Sequence, residues 1–130
     1  MNVQKYTVEI DDGNTWWFKY GTEILHRENG PAVEHEDGYK AWYQNSEIHR
    51  LDGPAQEYPD GTKYWYQYGK EHRLDGPAKE FANGDKEWWI EGKKYNEAEF
   101  NAYIGKNTTY DGKEVIIDGK TYKLKFVDNS

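Results

Sequence analysis

His49-Arg50-Leu51-Asp52-Gly53-Pro54-Ala55-Gln56-Glu57-Tyr58-Pro59-Asp60-Gly61-Thr62-Lys63-Tyr64-Trp65 decides the reading of this chain, because its marked positions return at a fixed interval. His-Arg stands at His26-Arg27, His49-Arg50 and His72-Arg73, 23 residues apart each time. Gly-Pro-Ala follows with the same spacing at Gly30-Pro31-Ala32, Gly53-Pro54-Ala55 and Gly76-Pro77-Ala78. Two residues after each Ala is a Glu: Glu34, Glu57 and Glu80. A turn dipeptide comes next, at Asp37-Gly38, Asp60-Gly61 and Asn83-Gly84, and four residues after each of those Gly is Trp42, Trp65 or Trp88. The step from Gly13 to Trp17 repeats it once more, so a partial leading unit precedes three fuller ones. Self-similarity at a fixed period is the signature of a repeat architecture.

Each unit reads as a β-hairpin. Alternating segments flank Asp-Gly or Asn-Gly, the strongest short-range hairpin signal. The expected hairpins lie near 3–20, 32–45, 55–68 and 78–91, with a compact loop such as Gly69 to Pro77 between them. Pro59 suits the first position of a type I turn and Gly61 the left-handed position that follows it. A three-residue loop Pro59-Asp60-Gly61 then places Glu57 opposite Lys63 and Ala55 opposite Trp65. The same register gives Glu34 with Lys40 and Glu80 with Lys86.

The chain changes character at residue 96. Asn96-Glu97-Ala98-Glu99 is a capping-box pattern. It predicts a helix over 97–104, stopped by Gly105, and then a hairpin over 113–127 turning at Asp118-Gly119. The expected organisation is a repeat array over 1–95 and a cap over 96–130. A repeat array exposes an unpaired edge that needs covering. The fold class is mainly β: antiparallel hairpins in a single-layer sheet, with a short C-terminal helix and a capping hairpin.

Composition narrows the function. Apolar residues are 35% of the 130, which argues against a thick core. Six Trp, twelve Tyr and four Phe compensate, since each ring can bury about 150–250 Å². A net charge of −7 disfavours nucleic acid, whose backbone needs clustered Lys and Arg. It permits a basic protein surface or a cationic ligand. There is no cysteine, so disulfides and thiolate metal sites are excluded. No early apolar run resembles a signal peptide and no run is long enough to span a membrane, so a cytoplasmic protein without a membrane partner is expected.

The unit resembles the MORN repeat. Trp65-Tyr66-Gln67-Tyr68-Gly69-Lys70-Glu71-His72 is similar to that family's aromatic-x-x-Gly and His-Gly pattern, over about residues 12–95. Arg73 stands where the family carries Gly, and Leu-Asp-Gly-Pro-Ala is inserted, as in divergent bacterial and bacteriophage repeats of this type. The resemblance implies an elongated sheet that binds proteins or lipids. It also implies antitoxin or immunity relatives, and it supplies no catalytic residue.

The remaining motifs read as architecture. Successive hairpins advance by roughly 10 Å, two strands of about 4.8 Å, so His26, His49 and His72 are too far apart to share an ion. Each His-Arg is expected to brace its own loop. Arg27, Arg50 and Arg73, with Glu34, Glu57 and Glu80, repeat identically and so read as scaffold. Asn29, Asp52 and Asp75 read as turn formers. No nucleophile stands beside a His-carboxylate pair, no Gly-rich phosphate loop opens a helix and no His-Glu-x-x-His occurs, which points away from an enzyme and from a cofactor. The column Trp17, Trp42, Trp65 and Trp88 is constant and reads as structural. The opposite face varies, and Phe18, Tyr20, Tyr43, Tyr58, Tyr64, Tyr66, Tyr68 and Trp89 are the expected partner-binding residues. Tyr and Trp are favoured at interfaces. The function expected is non-covalent binding of a protein as an inhibitor or sequestering factor, oligomers being allowed. A small-molecule sponge holding a nucleotide-like ligand, and an antitoxin or immunity protein, are the alternatives.

Overall fold

The structure is a computed structural model that describes residues 4–108 and 114–123. It divides into two compact units, Met1–Lys94 and Tyr95–Ser130. In chain order the described strands are Tyr6–Asp11 (β1), Asn14–Lys19 (β2), Val33–Glu34 (β3), Lys40–Ala41 (β4), Tyr43–Gln44 (β5), Glu47–Ile48 (β6), Gln56–Glu57 (β7), Lys63–Tyr64 (β8), Tyr66–Gln67 (β9), Lys70–Glu71 (β10), Lys79–Glu80 (β11), Lys86–Ile90 (β12), Lys93–Tyr95 (β13), Glu114–Ile117 (β14) and Lys120–Lys123 (β15). One helix, Glu97–Thr108 (α1), precedes the last two.

Mainly antiparallel β structure is what the repeat predicts, and it is what the chain adopts. Nine strands form one sheet in the order β1-β2-β3-β4-β7-β8-β11-β12-β13. The turn chemistry sets its register. Tyr58 N–H donates to the Thr62 carbonyl (2.9 Å), and Gly61 N–H donates to the Tyr58 carbonyl (3.0 Å). Those two bonds enclose the loop Pro59-Asp60-Gly61, with Gly61 at φ 96°. This is the type I turn followed by a left-handed glycine. Glu57 accordingly faces Lys63. Glu34 faces Lys40 and Glu80 faces Lys86 in the same way.

Two expectations are corrected at the tryptophans. Ala55 does not pair with Trp65. Its N–H donates to the Tyr64 carbonyl (2.8 Å), although Gln56 is the register partner of Tyr64. The ladder slips there by one residue, as in a bulge. Trp65 instead donates its N–H to Ala78 of the next unit (2.7 Å), as Trp17 does to Ala32 and Trp42 to Ala55. Trp42 and Trp65 therefore leave their own hairpins and join the following one, whereas Trp17 stays in β2 opposite Val8 while bonding Ala32.

In these two units the strand breaks at the indole, and the compact loop expected after it contains a second hairpin, whereas β2 and β12 run on through Trp17 and Trp88. β5 pairs with β6 and β9 with β10, each as a separate two-stranded sheet. The turns are Asn45-Ser46, with φ 52° and 66°, and Tyr68-Gly69, with φ 52° and 79°. Two positive φ values in a row are the two-residue hairpin turn that matches strand twist. Asn45, Ser46 and Tyr68 accept a strained backbone there because the flanking ladders hold it.

The core is thin. Ala32, Ala41, Ala55 and Ala78 are all 0% exposed, and no large side chain among the described residues is completely buried.

In the second unit, Asn96 N–H donates to Glu99 Oε1 (3.0 Å) and Glu99 N–H donates to Asn96 Oδ1 (2.8 Å). These are the two reciprocal bonds of a capping box. Helix α1 runs four residues beyond the expected stop. Gly105 sits inside it, at a cost of about 1 kcal/mol that does not end a helix. β14 and β15 pair antiparallel about Asp118-Gly119. Residue 113 and residues 124–127 of the expected last hairpin lie outside the described residues.

Candidate binding face

One face of the array is a stack of guanidinium on indole. Arg27 lies 3.8 Å from the Trp17 ring centroid, Arg50 3.9 Å from Trp42 and Arg73 3.9 Å from Trp65. The rest of the repeated motif holds each arginine flat. Arg73 Nε donates to Asp75 (2.9 Å), and its Nη1 donates to the Pro77 carbonyl (3.0 Å) and to Glu80 (3.2 Å). Arg50 bonds Asp52 and the Pro54 carbonyl, and meets Glu57 at 3.6 Å. Arg27 bonds the Pro31 carbonyl and Glu34. Asp52 and Asp75, expected as turn formers, thus hold a guanidinium. The glycine before each Pro lets the loop approach the arginine closely: a Cβ on Gly53 would lie 3.0 Å from Arg50 Cζ.

The histidines do more than brace their own loops. His26 Nδ1 accepts the Asn45 N–H (3.1 Å), His49 Nδ1 the Tyr68 N–H (2.9 Å) and His72 Nδ1 the Glu91 N–H (3.1 Å). Each imidazole therefore ties its unit to the turn of the following small hairpin. An accepting Nδ1 leaves the proton on Nε2, and His26 donates that proton to Glu28 (2.6 Å). Burial lowers the His49 pKa, against a weaker upward pull from Glu47. Among the described residues no group of three His, Cys, Asp or Glu could hold a metal ion.

The second face is aromatic and continuous. Trp16 meets His35 at 6.2 Å between ring centroids, His35 meets Tyr39 at 5.0 Å, and Tyr39 meets Tyr58 at 5.0 Å. Tyr58 then meets Tyr64 at 5.4 Å, and Tyr64 meets Phe81 at 5.7 Å. Three of the pairs are edge-on and two, His35–Tyr39 and Tyr39–Tyr58, are tilted, all at separations favourable for ring pairs. Tyr43 and Tyr66 stand close by. Burial raises both phenols, that of Tyr66 to about 12 with help from Glu71. Lys79 places its ammonium 5.1 Å from the Tyr64 ring and 5.0 Å from Trp89. Trp89 donates its Nε1–H to Glu87 (2.9 Å).

Tyr58 and Tyr64 of the expected binding residues lie in the ring stack, with Tyr43 and Tyr66 at its side. Trp89 is linked to the stack through Lys79, which it shares with Tyr64, and the other three are placed apart from it. Phe18 bridges to Leu25. Tyr20 is 68% exposed, with Lys5 5.7 Å from its ring. Tyr68 is 66% exposed at a turn and rests against His49 at 4.3 Å. Its positive φ ends the alternation that had aligned it with Tyr64 and Tyr66. Sequence reasoning missed His35 and Phe81. The signal was available, since His35, Tyr58 and Phe81 each stand three residues after a Gly-Pro-Ala alanine.

A groove of about 630 Å³ opens between the first two arginine loops, lined by Arg27, Asn29, Trp42, Gln44, His49 and Arg50 among others. No described helix is long and apolar enough to cross a membrane. In comparison with known proteins, no family model, curated protein or solved structure matches the chain.

Proposed function

We propose that this chain is a non-enzymatic protein-binding module, a MORN-like repeat that acts as an inhibitor or sequestering factor in the cytoplasm. The observation that carries this reading is the unbroken ring stack from Trp16 to Phe81. The arginine-indole face repeats the same contacts at each step, as a scaffold must. The aromatic face changes its residues from unit to unit and keeps its rings half-buried, so they offer both apolar area and polar tips. Such rings are strong interface anchors. The phage-type resemblance makes a bacteriophage inhibitor of a host defence protein the form of this function that we favour, with an antitoxin or immunity role as its bacterial counterpart. A stoichiometric partner captured from bacterial lysate and lost on Tyr64→Ala, with folding intact, supports the reading. Capture that is unchanged by Tyr64→Ala removes the aromatic face from it.

The groove beside Arg27 favours a second reading, a sponge for a nucleotide-like small molecule. Its volume lies within the range of ligand pockets, about 300–1,000 Å³. An ultraviolet-absorbing compound released from the purified protein by heat, and absent after Trp42→Ala, would favour the sponge over the protein-binding module.

A further inference from the structure

Five tyrosines gather at the middle of the aromatic face: Tyr39, Tyr43, Tyr58, Tyr64 and Tyr66. Tyr39, Tyr58 and Tyr64 are in ring contact. Burial chiefly raises the Tyr43 and Tyr66 phenols, and the smaller contributions of Tyr39 at Tyr43, and of Glu71 and then Tyr58, Tyr64 and Tyr39 at Tyr66, place both near the cluster. All five are half-buried, so each ring keeps an accessible part. Ala41, completely buried, lies in the strand beneath. Its register partner Gln56 donates its side-chain N–H to the Tyr39 hydroxyl (2.9 Å).

One unit further along, the position of Gln56 is taken by Lys79. There the chain supplies its own cation, an ammonium held at 5.1 Å and 5.0 Å from the Tyr64 and Trp89 rings. Both distances are within the roughly 6 Å reach of a cation–π contact. At the tyrosine cluster the same position carries a neutral amide. Carboxylates stand around these phenols, Asp60 at Tyr58 and Tyr64, Glu71 at Tyr66 and Glu87 at Tyr64, while Lys79 occupies the Tyr64 edge of the cluster. The rings present electron-rich faces within an acidic surround, on a chain of net charge −7.

We infer that this tyrosine cluster receives a cationic side chain, lysine or arginine, presented by a basic surface of the partner protein. The inference rests on the aromatic face being the binding surface, and it adds the chemistry of what binds there. Lys79 is the intramolecular example of the contact.

The test is fluorescence anisotropy of labelled decalysine and decaglutamate with the whole chain at physiological salt. Decalysine is expected to bind and decaglutamate is not. Tyr58→Leu should weaken decalysine binding about fivefold, the scale of one partly exposed cation–π contact. Tyr58→Phe keeps the ring and should stay within about twofold. Neither substitution alters charge, so attraction by net charge alone would leave both variants like the parent, and that result would overturn the inference. If Tyr58→Leu does not fold, the parent decides. Its Tyr43, Tyr58 and Tyr66 ring proton resonances should move on titration with decalysine, and unmoved resonances would also overturn the inference. Loss of a captured lysate protein on Tyr64→Ala, with no decalysine binding, would sink this inference and leave the protein-binding reading standing. Failure of both measurements would end both.

Discussion

The guanidinium of Arg73 lies 3.9 Å from the centroid of the Trp65 ring, held there by Asp75, the Pro77 carbonyl and Glu80. One side chain thus joins the tryptophan column to the Gly-Pro-Ala loop and to the hairpin that follows. The repeated motif is the set of groups needed to keep an arginine flat on an indole.

Trp65→Ala should therefore destabilise the fold. The indole is half-buried, so the loss should fall below the about 3–5 kcal/mol of a fully buried Trp, near 2 kcal/mol. Arg73→Lys keeps the charge and loses the planar fork, so it should cost about 1 kcal/mol. Urea midpoints measure both. A Trp65→Ala protein that melts like the parent but loses its partner would mean that the scaffold and binding faces are exchanged.

Gly53→Ala probes the close approach without touching a charge. Its Cβ would sit 3.0 Å from Arg50 Cζ, and the guanidinium stacked on Trp42 must shift by a few tenths of an ångström to admit it. We expect a loss of about 1–2 kcal/mol in thermal unfolding, in contrast with the few tenths usual for a surface substitution. A neutral result would show that the arginine can shift at no cost.

His49 gives the array a dependence on acid. Burial places its folded pKa below 6.5, and its Nδ1 must remain unprotonated to accept the Tyr68 N–H. The unfolded chain then binds the proton more tightly than the folded one. Stability from this group is complete above about pH 6.5 and falls as the pH drops from there towards the folded pKa. A melting temperature that decreases from pH 7.5 to pH 5, and decreases less in His49→Gln, is the expected outcome. A His49 imidazole that titrates above 6.5 by nuclear magnetic resonance would contradict it.

Metal removal should change nothing. Each of His26, His49 and His72 already uses Nδ1 on a backbone N–H of the next unit. A chelator that shifts the melting temperature would reveal a site that the histidine geometry does not provide.

Tyr66→Ala should separate binding from folding less cleanly than Tyr64→Ala. The Tyr66 phenol is pushed to about 12, chiefly by burial, so its removal also opens space in the sheet. We expect both variants to weaken partner capture, and Tyr66→Ala to lower the melting temperature more. Equal melting temperatures would place the two rings in equivalent surroundings.

What the sequence determined by itself was local. The three-residue loop at Pro59-Asp60-Gly61 and the reciprocal Asn96–Glu99 cap arise from residues within a few positions of one another, and the period of 23 repeats such local signals along the chain. Pro and Gly restrict φ at single residues, so loop length, and with it the pairing of Glu57 with Lys63, follows from adjacent side chains alone. Only the tertiary structure decided which unit each group serves. Trp65 finds its carbonyl at Ala78 and His49 finds its donor at Tyr68, because a bulge turns the strand out of its own hairpin at the indole. The positive φ of Tyr68 takes it off the face of Tyr64, while His35 and Phe81 enter a ring stack that crosses units. A hydrogen bond or ring contact between units depends on where two separately folded hairpins come to lie, and no run of neighbouring residues encodes that distance.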